Sequence, residues 1–227
     1  MKHQSDFINL ICRKIALIHS LTVPIPKDPN FILDLSLKFH DVANEDLEQR
    51  LSELEPEELE FFGSLLSLDI KKEVEWLKQI APKIQSRSVF CHNDLKFGNI
   101  GLRKDREKLE DRLFIFDYEN CSYGYRGYEF ALFISWYNFE INVENVSDHS
   151  KPPSQDLIDQ IINNYLEEWK KLSKNFDSAI DNRDHFRMEI DFCLLMMQIL
   201  YSCVLLKRIK KASMYYIKVS DNTSLIF

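Results

Sequence analysis

Apolar residues recur at helical spacing over the first part of the chain. In the opening segment DFINLICRKIALIHSL, a helix of 3.6 residues per turn collects most of the large apolar side chains on one face. These residues are Phe7, Ile8, Ile11, Ile15 and Ile18. The prolines of TVPIPKDPN end this pattern, because proline lacks a backbone donor and clashes with the preceding turn. The sequence therefore predicts a first amphipathic helix that packs against a core.

Two further segments before the middle of the chain show the same periodicity. The acidic EDLEQRLSELEPEELEFFGSLL predicts an amphipathic helix that is broken near Pro56. In LDIKKEVEWLKQIAP the spacing predicts a helix that stops at Pro82 and buries Ile70, Val74, Leu77 and Ile80. The stretch FILDLSLKF fits both a period of two and a short helix, so its structure stays open.

Helical patterns return in the second half of the chain. They cover Tyr128 to Glu140, DLIDQIINNYLEEWKKL, and Phe186 to Lys207. The last of these contains the apolar run from Phe192 to Leu206, which is shorter than a bilayer-spanning helix and is interrupted by Gln198 and Ser202. We interpret it as a buried core helix and expect no membrane span.

Short strands are predicted only in the middle of the chain. SVF (Ser88–Phe90) is a strand candidate, and NIGL and RLFIFDY are two apolar strands joined by the charged connector RKDREKLED. The pattern predicts a mainly α-helical protein with one small β-hairpin. We find no domain boundary and expect a single domain over residues 1–227.

The overall charge limits the classes of partner. The net charge is −7 at pH 7, which argues against a nucleic-acid binder, since such proteins usually present a basic surface. The five cysteines include no CxxC pair, and their odd number does not indicate a disulfide framework. We expect reduced thiols, a cytoplasmic location and no zinc site.

The run FCHNDLKFGNI contains the pattern H-x-D-x-x-x-x-N, formed by His92, Asp94 and Asn99. In phosphoryl transfer this spacing places an aspartate that accepts the proton of an attacking hydroxyl and an asparagine that binds magnesium. The histidine shapes the loop. The alternative is a polar loop in which Asp94 and Asn99 only cap turns.

A second acidic residue favours the phosphoryl-transfer interpretation. Asp117 follows the apolar run of RLFIFDY, and the predicted hairpin brings the chain from Asn99 to Asp117. An aspartate buried at the end of an apolar strand would need a metal or a cationic partner. We therefore expect Asn99 and Asp117 to converge on one magnesium ion.

With these residues in place, the chain resembles the choline/ethanolamine kinase family. The resemblance lies in VFCHNDLKFGNI, IFDYENCSYGYRGYEFA and, more weakly, IALIHSLTVPIPKDPNF, and it covers approximately residues 7–210. GNIGL and YGYRGYEF are closer to choline kinases than to ethanolamine kinases. The resemblance implies the C-terminal lobe of a protein-kinase-like fold.

The resemblance also implies an activity, which is ATP- and Mg²⁺-dependent phosphorylation of an amino alcohol in phospholipid synthesis, with choline as the first expectation. Asp94 matches the catalytic base, while Asn99 and Asp117 match the metal ligands. Glu129 stands where the family usually has an aspartate, and we expect it among the residues that contact the substrate. Lys96 lies in the loop, where it either contacts a phosphate or remains solvated.

The substrate pocket departs from the family pattern. Asn120 replaces a usual tyrosine, and Trp136 stands where a glutamate is expected. Trp136, Tyr137 and Tyr201 are candidates for an aromatic cage around an ammonium group, although packing in the core explains them equally well.

The sequence also lacks a glycine-rich nucleotide loop and a phosphate-binding strand lysine, so an N-terminal lobe is expected to be missing. Three interpretations therefore remain open. The chain is an active kinase, a non-catalytic kinase-like module that binds a partner, or a truncated gene product. A homodimer, or pairing with a complete family member, is the partner expectation.

Overall fold

The computed structural model describes residues 2–141 and 154–207. The chain is mainly helical in these ranges, with two small antiparallel strand pairs in the middle. The helices are α1 (Lys2–His19), α2 (Phe31–Asn44), α3 (Leu47–Leu51), α4 (Pro56–Leu66), α5 (Ile70–Ile84), α6 (Leu109–Arg112), α7 (Gly127–Ile141), α8 (Gln155–Leu172) and α9 (Arg183–Lys207). The strands are β1 (Ser88–Cys91), β2 (Ile100–Leu102), β3 (Leu113–Ile115) and β4 (Ser122–Tyr125).

Helix α1 confirms the first predicted amphipathic helix. Ile8, Ile11 and Ile15 are at most 1% exposed, and each such buried side chain contributes about 1.5–3 kcal/mol relative to an exposed one. The helix packs mainly on α8, where His19 Nδ1 lies 2.9 Å from the hydroxyl of Tyr165. The ambiguous FILDLSLKF becomes α2, which buries Ile32, Leu33 and Ser36 at helical spacing.

The two prolines that were predicted to end helices, Pro56 and Pro82, differ in their effect on the structure. The break near Pro56 is confirmed, since α3 ends at Leu51 and Pro56 is the first residue of α4, where the absence of an N–H is tolerated. The predicted stop at Pro82 is wrong by two residues. Pro82 lies exposed in the last turn of α5, and the helix ends after Ile84 because Gln85 adopts a left-handed conformation with φ 54°.

The strand pairs correct the single predicted hairpin. Strands β2 and β3 form the expected hairpin, with Gly101 opposite Phe114. Strand β1 pairs with β4, a strand that the sequence analysis had not predicted, in the register Ser88 to Tyr125. The two pairs place the loop after β1 between the hairpin and the start of α7, which fixes the position of the H-x-D-x-x-x-x-N motif.

Helix α9 is the centre of the packing. It contacts α2, α5 and α7, and its buried residues include Phe186, Ile190 and Met196. Among the described residues it is also the one helix long and apolar enough to cross a membrane, by length and composition only, and 56% of that window is buried in the fold. This burial agrees with the prediction of a core helix.

The close approach of α7 to α9 depends on Gly127. A Cβ atom at this position would lie 2.5 Å from the backbone oxygen of Glu189, so any larger residue would push the two helices apart. Next to it, Arg126 is fully buried and forms ion pairs with Asp181 and Glu189, which are also fully buried. Arg87 binds the same Asp181, with its Nε 2.7 Å from Oδ1.

This buried ion network allows a stability prediction. Arg126→Met should lower the free energy of unfolding by about 3–5 kcal/mol, because it leaves the buried Glu189 without its arginine partner and Asp181 with Arg87 alone. Urea unfolding followed by circular dichroism measures this change. The control Arg187→Met removes an exposed pair with Asp191 and should cost no more than about 1 kcal/mol. Equal losses in the two variants would contradict the assignment.

Candidate active site

The H-x-D-x-x-x-x-N motif lies in the loop between β1 and β2. The segment from His92 to Lys96 has no helix or strand conformation, and a single 3₁₀ turn, Phe97–Asn99, leads into β2. Leu95 is fully buried and anchors the middle of the loop in the core. Because the loop backbone has few partners of its own, side chains from neighbouring elements must satisfy its polar groups.

His92 connects the loop to the end of the hairpin. Its ring is fully buried, and Nε2 lies 2.8 Å from the backbone oxygen of Phe116. The backbone N–H of Asp94 donates to Nδ1 over 3.3 Å. These two partners assign the proton to Nε2, so His92 holds the residue before Asp117 and the Asp94 backbone at the same time.

Asp94 and Asn99 lie side by side. The amide nitrogen of Asn99 donates to Asp94 Oδ2 over 3.0 Å and to the Asp94 backbone oxygen over 2.8 Å. Lys96 Nζ binds the same Oδ2 at 2.8 Å. The carboxylate is one quarter exposed. Within residues 2–141 and 154–207, no hydrogen bond is found to Asp94 Oδ1 or to the side-chain oxygen of Asn99.

Asn93 is a site residue that the sequence reasoning missed. Its backbone is left-handed, with φ 64°, a conformation that asparagine tolerates better than most residues. Its side-chain amide donates to the backbone oxygen of Asn120 and to the Ser122 hydroxyl, over 3.0 and 2.8 Å. Asn93 thereby fixes the bend before Asp94, and its position inside the motif was the available signal.

Glu129 on α7 holds the loop by accepting hydrogen bonds from its backbone. Its carboxylate on α7 is fully buried and accepts the backbone N–H of Asn93 at Oε1 and that of His92 at Oε2, over 2.7 and 3.2 Å. Burial raises its pKa to about 7, against the two hydrogen bonds, which lower it. The sequence had placed Glu129 with the substrate. Because this carboxylate is fully buried and both of its oxygens accept backbone hydrogen bonds, it presents no exposed atom to a substrate.

Asp117 lies at the base of the β2–β3 hairpin. The N–H of Phe116 donates to the backbone oxygen of Asn99 over 3.1 Å, so the hairpin pairing continues to Asn99 and brings Asp117 beside the loop. The expectation of a buried Asp117 is wrong, since its side chain is exposed. Its backbone is left-handed, with φ 68° and ψ 57°. Such strain at a non-glycine residue is often found at functional sites.

The oxygen atoms of Asn99 and Asp117 suit a magnesium ion. Mg²⁺ prefers oxygen ligands and usually takes one or two carboxylates from the protein, with phosphates and water completing its shell. Asp117 offers an exposed carboxylate, and Asn99 offers an amide oxygen to which no described residue donates. Among the described residues no group of three or more His, Cys, Asp or Glu side chains could hold a metal by itself.

The aromatic substrate candidates are only partly described. Trp136 and Tyr137 are in α7, but their side chains lie outside the described part of the structure. Tyr201 on α9 is partly buried and close to Tyr128. The hydroxyl of Tyr128 also interacts electrostatically with Glu129 and Asp94. Burial, with these charges, raises the pKa of Tyr128 well above its ordinary value. The aromatic cage remains a prediction.

The sequence model of the choline/ethanolamine kinase family matches residues 2–220. The chain belongs to the choline/ethanolamine kinase family. Curated relatives include choline kinase alpha of Mus musculus, 29% identical over 189 residues, and ethanolamine kinase 1 of Homo sapiens, 31% identical over 183 residues. These alignments cover 81% and 77% of this chain, but 40% and 36% of the relatives. This choline/ethanolamine kinase family member thus spans about two fifths of the length of the relatives it matches.

Solved structures agree with the choline/ethanolamine kinase fold. An ethanolamine kinase of Plasmodium vivax matches with a TM-score of 0.60 and 18% identity, over 90% of this chain and 54% of its own. A choline kinase from Cryptosporidium parvum matches with a TM-score of 0.57 and 12% identity, over 96% and 66%. The predicted fold class, mainly helical with a small antiparallel sheet in a kinase-like arrangement, is confirmed.

The left-handed backbone at Asp117 gives a prediction about the stability of this choline/ethanolamine kinase family member that needs no activity measurement. Asp117→Gly should raise the free energy of unfolding by about 0.5–1 kcal/mol relative to Asp117→Ala, because glycine adopts positive φ without a steric penalty. Paired urea denaturation of the two variants measures the difference. Equal stability of the two variants would contradict the strained conformation.

Proposed function

We propose that this chain carries the catalytic loop of an ATP- and Mg²⁺-dependent kinase that phosphorylates an amino alcohol, with choline as the first expectation and ethanolamine as the second. The observation that carries the proposal is the position of Asp94. One of its carboxylate oxygens is held by Lys96 and Asn99, and the other has no partner among the described residues.

In the proposed reaction, Asp94 acts as the general base. The hydroxyl oxygen of the substrate forms a bond to the terminal phosphorus of ATP, the bond from that phosphorus to ADP breaks, and Asp94 Oδ1 takes the hydroxyl proton. Oδ2 stays bound to Asn99 over 3.0 Å, which keeps the carboxylate in one orientation. Most of the rate enhancement in such reactions comes from positioning and charge stabilisation.

Asn99 and Asp117 would hold the magnesium ion through their side-chain oxygens. When bound, the ion supplies neutralisation of the phosphate charge. Lys96, whose Nζ lies 2.8 Å from Oδ2 of the base, is the proposed cation for a phosphate group. The His92 bridge keeps the proposed base and Asp117 in register, because it connects the Asp94 backbone to the residue before Asp117.

The ammonium end of the substrate would be recognised by aromatic faces. Trp136, Tyr137 and Tyr201 are the proposed residues, since aromatic rings attract quaternary ammonium groups by cation–π interaction. The product would enter phospholipid synthesis, as in phosphatidylcholine biosynthesis, and we propose a cytoplasmic location. Pairing with a second copy or with a longer family member remains a proposal for the partner.

A phosphate-transfer assay with the purified chain, ATP, Mg²⁺ and a panel of amino alcohols tests the activity. Asp94→Ala should lower kcat by about 10²–10⁴-fold, because it removes the general base. Asp105→Ala, which removes an exposed acid from the hairpin connector, is the matched control and should keep the wild-type rate. Absence of transfer to every alcohol, or normal turnover by a folded Asp94→Ala protein, would contradict the proposal.

Metal-dependent nucleotide binding can be tested without turnover. With Mg²⁺ present, ATP at tenfold its dissociation constant should stabilise the wild-type chain by about 1.4 kcal/mol, seen as a rise in Tm. Asp117→Gly should lose this shift, although its own fold is not weakened. A shift that persists in Asp117→Gly, or that is unchanged by EDTA, would show that Asp117 does not bind the metal.

A further inference from the structure

Glu129 is a buried acid without a basic partner. Its side chain is fully buried, and no ion pair to it is found within the described ranges. The other buried acids near α7 are different, because Asp181 and Glu189 both bind Arg126. The ionised form of Glu129 is therefore stabilised chiefly by two backbone N–H groups, those of His92 and Asn93.

We propose that Glu129 is a positioning residue that holds the loop before Asp94 through its carboxylate and releases part of that hold when it takes up a proton. The consequence for turnover rests on the proposed function of Asp94 as the base. The structural part, a proton-dependent hold on the loop, stands independently of turnover.

The two hydrogen bonds explain why the proton matters. An ionised carboxylate accepts at both oxygens, and such charge-assisted bonds are the stronger kind. A protonated carboxyl group carries hydrogen on one oxygen, so one backbone N–H then faces a donor. Oε1 lies 2.7 Å from the Asn93 nitrogen and Oε2 lies 3.2 Å from the His92 nitrogen. The longer bond, to His92, is the one expected to be lost.

The position of the bonds makes the loop sensitive to this loss. Asn93 keeps a left-handed backbone, which persists only when its surroundings hold it in place. Asp94 follows directly, and its own N–H is bound by the ring of His92. Loosening His92 therefore loosens the backbone of Asp94, from which the carboxylate extends.

The surroundings of Glu129 favour proton uptake near neutral pH. Burial, together with the negative charge of Asp94, raises its pKa from 4.5 to about 7, against the lowering effect of the two N–H groups. Among the described residues, the titratable groups facing this region come from the β1 end and its loop, the turn before β4, α7 and α9. They are Cys91, His92, Asp94, Tyr118, Cys121, Tyr128, Cys193 and Tyr201. No arginine or lysine is among them.

Because the pKa of Glu129 is raised, its contribution to the stability of the fold and its hold on the loop change with pH in opposite directions. Between about pH 4.5 and pH 7 the folded chain keeps a proton on Glu129 that the unfolded chain has lost, so this group's contribution to stability falls as the pH rises through that window. The hold on the loop increases over the same window. A residue that served stability alone would not produce these opposite trends.

The test is an NMR titration of the whole chain from about pH 5.5 to about pH 8.5. The side-chain carboxyl carbon of Glu129 should titrate with a midpoint near 7. Protection of the His92 and Asn93 amides against hydrogen exchange, corrected for the intrinsic rate, should increase with the same midpoint. The Phe116 amide is the internal control, because its acceptor is the backbone oxygen of Asn99, which does not titrate.

Two variants complete the test. Glu129→Gln should remove the pH dependence and lower the protection of the His92 amide roughly tenfold at the upper end of the titration. Glu129→Asp, which keeps a carboxylate, should retain a pH-dependent protection. If the chain turns over, kcat of wild type should fall below pH 7 relative to its plateau, and Glu129→Gln should be low and flat.

A Glu129 midpoint near 4.5, or His92 and Asn93 amides that follow Phe116 throughout, would overturn the proposal. The NMR measurements need no turnover. An inactive chain would therefore contradict the proposed kinase function, whereas the proton-dependent hold on the loop would still be tested by the protection of the His92 and Asn93 amides.

Discussion

The site depends on how the polar backbone of the loop after β1 is satisfied. A segment without helix or strand conformation still carries one donor and one acceptor per residue, and leaving them unpaired inside the protein is costly. Here the backbone and side chains of the loop are held by contacts with three separate elements. Glu129 of α7 accepts two N–H groups, the hairpin end receives the ring of His92, and the turn before β4 receives the side chain of Asn93. The orientation of Asp94 is the combined result.

Much of this arrangement could be predicted from the chain itself. The helical periodicity of α1, α5 and α9 is strong because each buries one continuous face. The Asp94–Asn99 spacing is local, so their proximity could be expected from the short loop between them. Helix α2 stayed ambiguous because nine residues of mixed pattern fit either conformation, and its packing on α9 decides between them.

The misses at β4 and Glu129 depend on distant parts of the chain, whereas the miss at Asp117 comes from a local turn. Strand β4 contains a glycine and polar residues and is a strand only because β1 pairs with it. The exposure of Asp117 follows from the left-handed turn that lifts it out of the hairpin. The role of Glu129 could not be read locally, because its partners lie more than thirty-five positions earlier in the chain.

The sequence Arg126-Gly127-Tyr128-Glu129 joins the core to the site within one helical turn. Arg126 is fixed by the ion pairs to Asp181 and Glu189, and Gly127 is fixed by the backbone of α9. Because a helix is rigid over so short a distance, a displacement of α9 near Glu189 is carried to the carboxylate of Glu129. Natural variation in this part of the core should therefore be restricted together with that of the loop, as pairs of substitutions that compensate one another across α7.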